Sequence, residues 1–159
     1  MTHVATIEWK RPVGENFTDQ RYSRAHVWLF DGGLEVPASS SPHVVSAPFS
    51  IPENVDPEEA FVASLSSCHM LFYLSIAAKR GFVIDVYRDK AEGTLNKDAS
   101  GRLAITHVAL NPRVRYAGVS PDRAAEAAMH HESHELCFIA NSVKTVVETR
   151  LPQSVDLGT

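Results

Sequence analysis

Cysteine is scarce in this chain of 159 residues: there are two, Cys68 and Cys137. A small scaffold held by several disulfides is therefore excluded. Positive charge is not in excess either. Lys and Arg total 15 against 19 Asp and Glu, a formal net charge of −4. No basic stripe runs along any segment, which argues against a general nucleic-acid binder. Internal repeats and low-complexity tracts are missing, so a solenoid is not indicated. With a hydrophobic fraction of 44%, long-range disorder is not indicated either. The opening MTHVATIEWKRP has no basic stretch followed by an apolar run, so it does not read as a signal peptide. The expectation is one domain over 1–159 in the cytoplasm, where thiols stay reduced.

What the chain does have is one long apolar segment, DPEEAFVASLSSCHMLFYLSIAAKRG, Asp56 to Gly81. Its start carries soluble-helix signals: Asp56 as N-cap, Pro57 at the first helical position and Glu59 where a capping-box carboxylate sits. Its end carries Lys79 and Arg80, suited to the negative helix terminus, and Gly81, suited to a left-handed cap. The length approaches a membrane span. The caps and the polar run Ser64, Ser66, Ser67, Cys68, His69 instead predict a core helix buried on most sides, with no membrane involved. Cys68 in its middle has two readings. It is a small core hydrophobe, as buried cysteines often are, or a nucleophile or metal ligand in an apolar pocket.

Around this helix the pattern is mostly strands. His3 to Lys10 alternates. Ser23 to Pro37 reads as a hairpin turning at Asp31-Gly32-Gly33, with Arg24, His26, Trp28 and Phe30 on one face. Pro37 to Pro57 holds five of the nine prolines and reads as a stiff loop. Phe82 to Asn96 and Arg102 to Tyr116 read as a hairpin bent at Asn111-Pro112. Ser120-Pro121 opens a second helix through about His134, and Ser142 to Leu151 closes as a strand. Strands, long helix, strands, short helix and strand predict an α+β fold with helices on an antiparallel sheet.

Two blocks of this sequence, DPEEAFVASLSSC and HELC, resemble the family of osmotically inducible protein C and organic hydroperoxide resistance protein. The resemblance covers most of the chain. It implies antiparallel sheets wrapped around a long central helix in an intertwined homodimer, with two active sites at its interface. It also implies reduction of organic hydroperoxides by a dithiol of the lipoyl type, with no cofactor. Carried over by position, Cys68 matches the peroxidatic cysteine, Cys137 the resolving cysteine and Glu58 the acidic residue after the helix-opening proline. The peroxide-site arginine falls on Arg24, with Arg21 as runner-up. The sequence departs from the pattern in three places. No arginine lies in SAPFSIPENV before the helix, CFIANS replaces the usual proline after the second cysteine, and His69 follows Cys68 directly. A divergent subgroup is implied.

The chemistry fits those residues. Peroxide reduction needs a thiolate, a cation that lowers the thiol pKa and stabilises the leaving oxygen, and a second thiol to resolve the sulfenic acid. Cys68, Arg24 and Cys137 can fill these roles, with Phe61, Leu65, Leu71 and Phe72 as an apolar surround or simply as core. Glu58 lies ten residues before Cys68, about 15 Å of helical rise and roughly 80° away in direction. It therefore serves a partner chain's site or only caps its own helix. Two rival readings stand beside the enzyme. In one, Cys68, His69, His134 and Cys137 hold a metal, although adjacent helical residues diverge by about 100°. His130, His131 and His134 otherwise read as surface or end-capping residues of the second helix. In the other, the protein is a dimeric binder of a hydrophobic ligand without thiol chemistry.

Overall fold

The structure, a computed structural model, describes residues 1–152. Its contacts group into two compact units, Met1–Ala60 and Phe61–Thr159. In the first unit, β1 (Ala5–Glu8), β2 (His26–Phe30) and β3 (Glu35–Ala38) form an antiparallel sheet in that order. Gly33 takes φ +84° in the β2–β3 turn, and its N–H donates to the Phe30 carbonyl at 2.9 Å. A side chain with a Cβ would be strained there. β2 begins at His26, so Arg24 lies before the strand rather than on it.

The proline-rich loop is stitched to this sheet. Val55 bridges Ala38 in parallel, and the Ile51 N–H donates to the buried Ser39 hydroxyl at 2.9 Å. The loop delivers α1 (Pro57–Lys79). The expected capping box is present: the Glu59 N–H donates to Asp56 Oδ1 at 2.7 Å, and the Asp56 N–H to Glu59 Oε2 at 3.3 Å. At the other end Gly81 is left-handed, with Phe82 N–H bonded to the Ala77 carbonyl at 3.0 Å. That is the six-to-one bond of a Schellman cap.

The second unit holds β4 (Val83–Asp89), β5 (Glu92–Lys97), β6 (Leu103–Leu110), β7 (Pro112–Ala117), α2 (Arg123–Leu136), a 3-10 turn (Ala140–Ser142) and β8 (Val146–Thr149). β4 pairs antiparallel with β7, and β5 with β6. The expected strand from Phe82 to Asn96 is thus two strands. Its break is pinned to the bend in the opposite strand. The Asn111 N–H donates to Asp89 Oδ1 at 2.6 Å, and Asn111 Nδ2 donates to the Lys90 carbonyl at 2.8 Å. β8 joins β6 in parallel, a departure from a purely antiparallel sheet. The α2 crossover before it brings the chain back in the same direction. α2 itself starts two residues later than expected, because the Asp122 side chain accepts the Ala125 N–H at 2.8 Å as N-cap.

In this unit α1 buries one stripe, Leu65, His69, Tyr73, Ile76 and Ala77. Leu65 packs with Val108 and Leu110 of β6, and Tyr73 and Ile76 pack with Met129 of α2. The expectation of a helix buried on most sides is not met within one chain: Leu71 is 60% exposed. Two small sheets and one short helix leave part of its surface uncovered. By length and composition alone α1 could span a membrane, but its apolar stripe is already committed to this core.

Candidate functional site

Three groups of side chains carry chemistry. The first is the thiol pair in the second unit. Cys68 sits mid-way along α1 and is half-buried. Cys137 is the C-cap of α2 and is 1% exposed, its N–H donating to the His134 carbonyl at 3.2 Å. The Cys68 thiol lies near enough to Cys137 to influence its ionisation. Burial pushes the Cys137 thiol up. The Ala140 N–H, 3.4 Å from its sulfur, partly offsets this, and the adjacent Cys68 thiol adds to the rise. The turn after α2 folds back over the Cys137 sulfur, which accepts the Ala140 N–H. Of the expected apolar surround, Leu65 is core and Phe61 packs against the same cluster. Leu71 is exposed, and Phe72 meets Phe138 edge-on at 5.1 Å between ring centres.

The second group lies in the first unit and brings two predicted residues together. Arg24 and Glu58 line one hollow of about 410 Å³, with Trp9, Phe17, Tyr22, His26, Ser39, Ser40 and Pro57. Arg21 is exposed and does not line it. The Arg24 guanidinium sits over the Tyr22 ring, 3.8 Å from its centre. Its Nη1 donates to the Gln20 and Tyr22 carbonyls and its Nη2 to Gln20 Oε1. All three partners are neutral, so the cation is held without being neutralised. Among the described residues, neither Arg24 nor Glu58 forms a salt bridge.

The third group was not legible in the sequence. His69 of α1 and His130 of α2 are buried, stacked at 5.2 Å, and joined by a His69 Nε2 to His130 Nδ1 hydrogen bond of 2.9 Å. The expectation that His130 belongs to the helix surface is corrected: it is 3% exposed and stacks on Tyr73 at 4.0 Å. Burial lowers His69 to about 4, with the nearby His134 adding to the fall and Asp89 opposing it. Burial, then His69, lowers His130 to about 3. Both rings are therefore neutral at pH 7. His69 thus serves the core. Among the described residues no three His, Cys, Asp or Glu side chains gather as a metal-binding group.

The comparisons with known proteins agree with this architecture. A family model described as OsmC-like protein matches residues 52–151. No curated protein matches the chain. Among solved structures, an OsmC-like protein of unknown function from Vibrio cholerae superposes with a TM-score of 0.94 at 53% identity, covering 96% of this chain and 99% of its own. An organic hydroperoxide resistance protein OsmC from Legionella pneumophila gives a TM-score of 0.69 at 17% identity, covering 98% of both chains. The organic hydroperoxide resistance protein OhrB of Bacillus subtilis gives 0.66 at 20% identity, covering 96% of this chain and 98% of its own. The last two likenesses establish the shared fold.

Proposed function

The chain belongs to the OsmC-like family, and from that premise we propose that it is a thiol-dependent peroxidase reducing organic hydroperoxides. The observation that carries the proposal is the thiol pair: a half-buried Cys68 beside a buried Cys137. The names of the Legionella and Bacillus relatives, which refer to organic hydroperoxide resistance, point the same way.

In this reading the Cys68 thiolate attacks the terminal peroxide oxygen. The O–O bond breaks, an S–O bond forms, and the leaving alkoxide takes a proton to become the alcohol. Cys137 then displaces water from the Cys68 sulfenic acid, giving a disulfide. An external dithiol of the lipoyl class reduces that disulfide through a mixed disulfide, and is itself oxidised to its cyclic form. Arg24 stabilises the developing oxyanion. Its hollow also holds Glu58, which by helix geometry is set about 15 Å along the axis from the Cys68 of its own helix. The proposal is therefore that Arg24 and Glu58 of one chain serve the thiol of a second copy, in a homodimer acting in the cytoplasm. Cys68→Ser is expected to abolish consumption of an organic hydroperoxide. Cys137→Ser is expected to allow one oxidation and then stall. Full activity of Cys68→Ser would remove the assignment.

The hollow also favours one second reading, a non-catalytic binder of a hydrophobic ligand. Under that reading, Cys68 in the reduced protein does not react with stoichiometric peroxide.

A further inference from the structure

The second unit has a hollow of its own, of about 260 Å³, between α2 and the segment of β8. Its polar lining is three imidazoles of α2, His130, His131 and His134, and the Thr149 hydroxyl of β8. Ala127, Val147 and Leu151 complete it. His130 and His134 stand four residues apart, about 6 Å along the helix and about 40° around it. Side chains at that spacing share a face. It is also the spacing at which two helical histidines hold one metal ion. His131 is turned about 100° from His130 and is exposed. None of the described residues lining the hollow is Lys or Arg, so an anion would find no counter-charge there.

Spacing alone would not make a site, but His130 adds an unmet demand. The residue is 3% exposed, and its Nε2 has no hydrogen-bond partner among the described residues. Tyr73 covers a face of the ring at 4.0 Å, and His69 Nε2 takes its Nδ1 edge at 2.9 Å. The edge left to line the hollow is the one that carries Nε2. A neutral imidazole has one N–H and one lone pair. When the His130 Nδ1–H donates to His69 Nε2, the lone pair falls on His130 Nε2 and has no partner. That is the state of a metal-ligating histidine, whose second nitrogen donates to an outer group that fixes the tautomer and the ring. The outer group here, His69, is itself fully buried. His134 is half-buried, and neither its ring nor the Thr149 hydroxyl is hydrogen-bonded to the described residues.

We propose that His130 and His134 bind a divalent transition-metal ion of the zinc type, with His69 as the positioning residue behind His130. Imidazole ligands without a thiolate or carboxylate suit zinc, copper or nickel rather than magnesium or calcium. Water fills the remaining coordination positions, and the Thr149 hydroxyl across the hollow can hold one such water. Structural zinc is closed by four protein ligands. An ion on two is exchangeable, and the fold does not depend on it. The thiols and Arg24 take no part, so the site stands or falls apart from the peroxidase reading.

The test is calorimetric titration of Zn²⁺ into the full chain carrying Cys68→Ser and Cys137→Ser, so that no thiolate competes for the ion. The expected result is a single ion per chain, with affinity lowered about tenfold or more by His134→Gln and by His130→Phe. His131→Ala should leave it unchanged. His130→Phe alters the core, whereas His134→Gln changes a half-buried side chain, so the second variant decides if the first does not fold. Nitrogen NMR of the imidazoles adds a readout that a structural role would not move. Zinc should shift His130 Nε2 while Nδ1 keeps its proton. Full affinity in a folded His130→Phe or in His134→Gln, or loss on His131→Ala alone, would reduce the site to chance pairing of surface histidines and overturn the proposal. An absence of binding at millimolar zinc, or metal on His130 Nδ1, would overturn it as well.

Discussion

At the scale of single residues, the least expected feature is the neutral His69–His130 pair. Each ring keeps one buried nitrogen without a hydrogen-bond partner among the described residues, His69 Nδ1 and His130 Nε2. Such groups cost stability unless the surroundings demand them. The rings also make stability depend on pH. Their folded pKa values, about 4 and about 3, lie below the ordinary histidine value of 6.5. The unfolded chain therefore binds protons first on acidification. The stability they contribute is fully present above about pH 6.5 and is lost as pH falls toward about 4. Between pH 7 and pH 5 the loss should be about 2 kcal/mol for each ring that stays neutral. Urea unfolding at the two pH values checks this. His130→Phe, which keeps the stacking on Tyr73, should flatten the acid side of the profile. An identical pH dependence in wild type and variant would contradict the account. The sequence could not announce this pair. Its members are 61 positions apart, and a histidine on an apolar helix has no local mark that distinguishes a core partner from a ligand. The thiols were singled out because a resemblance attached roles to them; that Cys68 and Cys137 neighbour each other depends on tertiary packing that their spacing does not carry. Arg24 was expected on a strand, and it lies before β2 instead.

At the scale of elements, what was legible was local. The α1 caps depend on residues within one turn of each end, and Asp56, Glu59 and Gly81 act as their types suggest. The α2 start slipped because Asp122 outcompeted Ser120-Pro121 as N-cap, a choice made over two residues. The break between β4 and β5 and the parallel pairing of β8 depend on residues far apart, Asp89 with Asn111 and Val146 with His107, so no local pattern carries them. Packing supplies a test at this scale. Gly93 in β5 approaches α1 so closely that a Cβ there would lie 2.5 Å from Val62 Cγ2. Val62 belongs to the cluster around Leu65, and a branched side chain cannot swing clear without moving that core. Gly93→Ala should therefore destabilise the protein by about 1–3 kcal/mol, measured as a shift in the urea midpoint. Adding Val62→Ala should recover part of the loss. A neutral Gly93→Ala would show that α1 and β5 are looser than described.

At the scale of the whole molecule, the exposed face of α1 and its surroundings remain to be accounted for. Leu71 is 60% exposed, Phe138 71% and Leu136 45%, and every residue of β5 is exposed. An apolar helix with only one buried stripe matches the proposed homodimer, whose second copy would cover the rest. Light scattering at micromolar concentration should give twice the 17.5 kDa chain mass. A clean monomer would remove the two-chain site, and with it the role given to Glu58. The central claim concerns the chemistry rather than the assembly. Its most direct test is to treat the reduced protein with one equivalent of cumene hydroperoxide and map the peptides without reduction. The account predicts an intrachain Cys68–Cys137 disulfide that a dithiol such as dihydrolipoamide reverses. Cys68 recovered unoxidised, or as sulfinic acid beside a free Cys137, would contradict it.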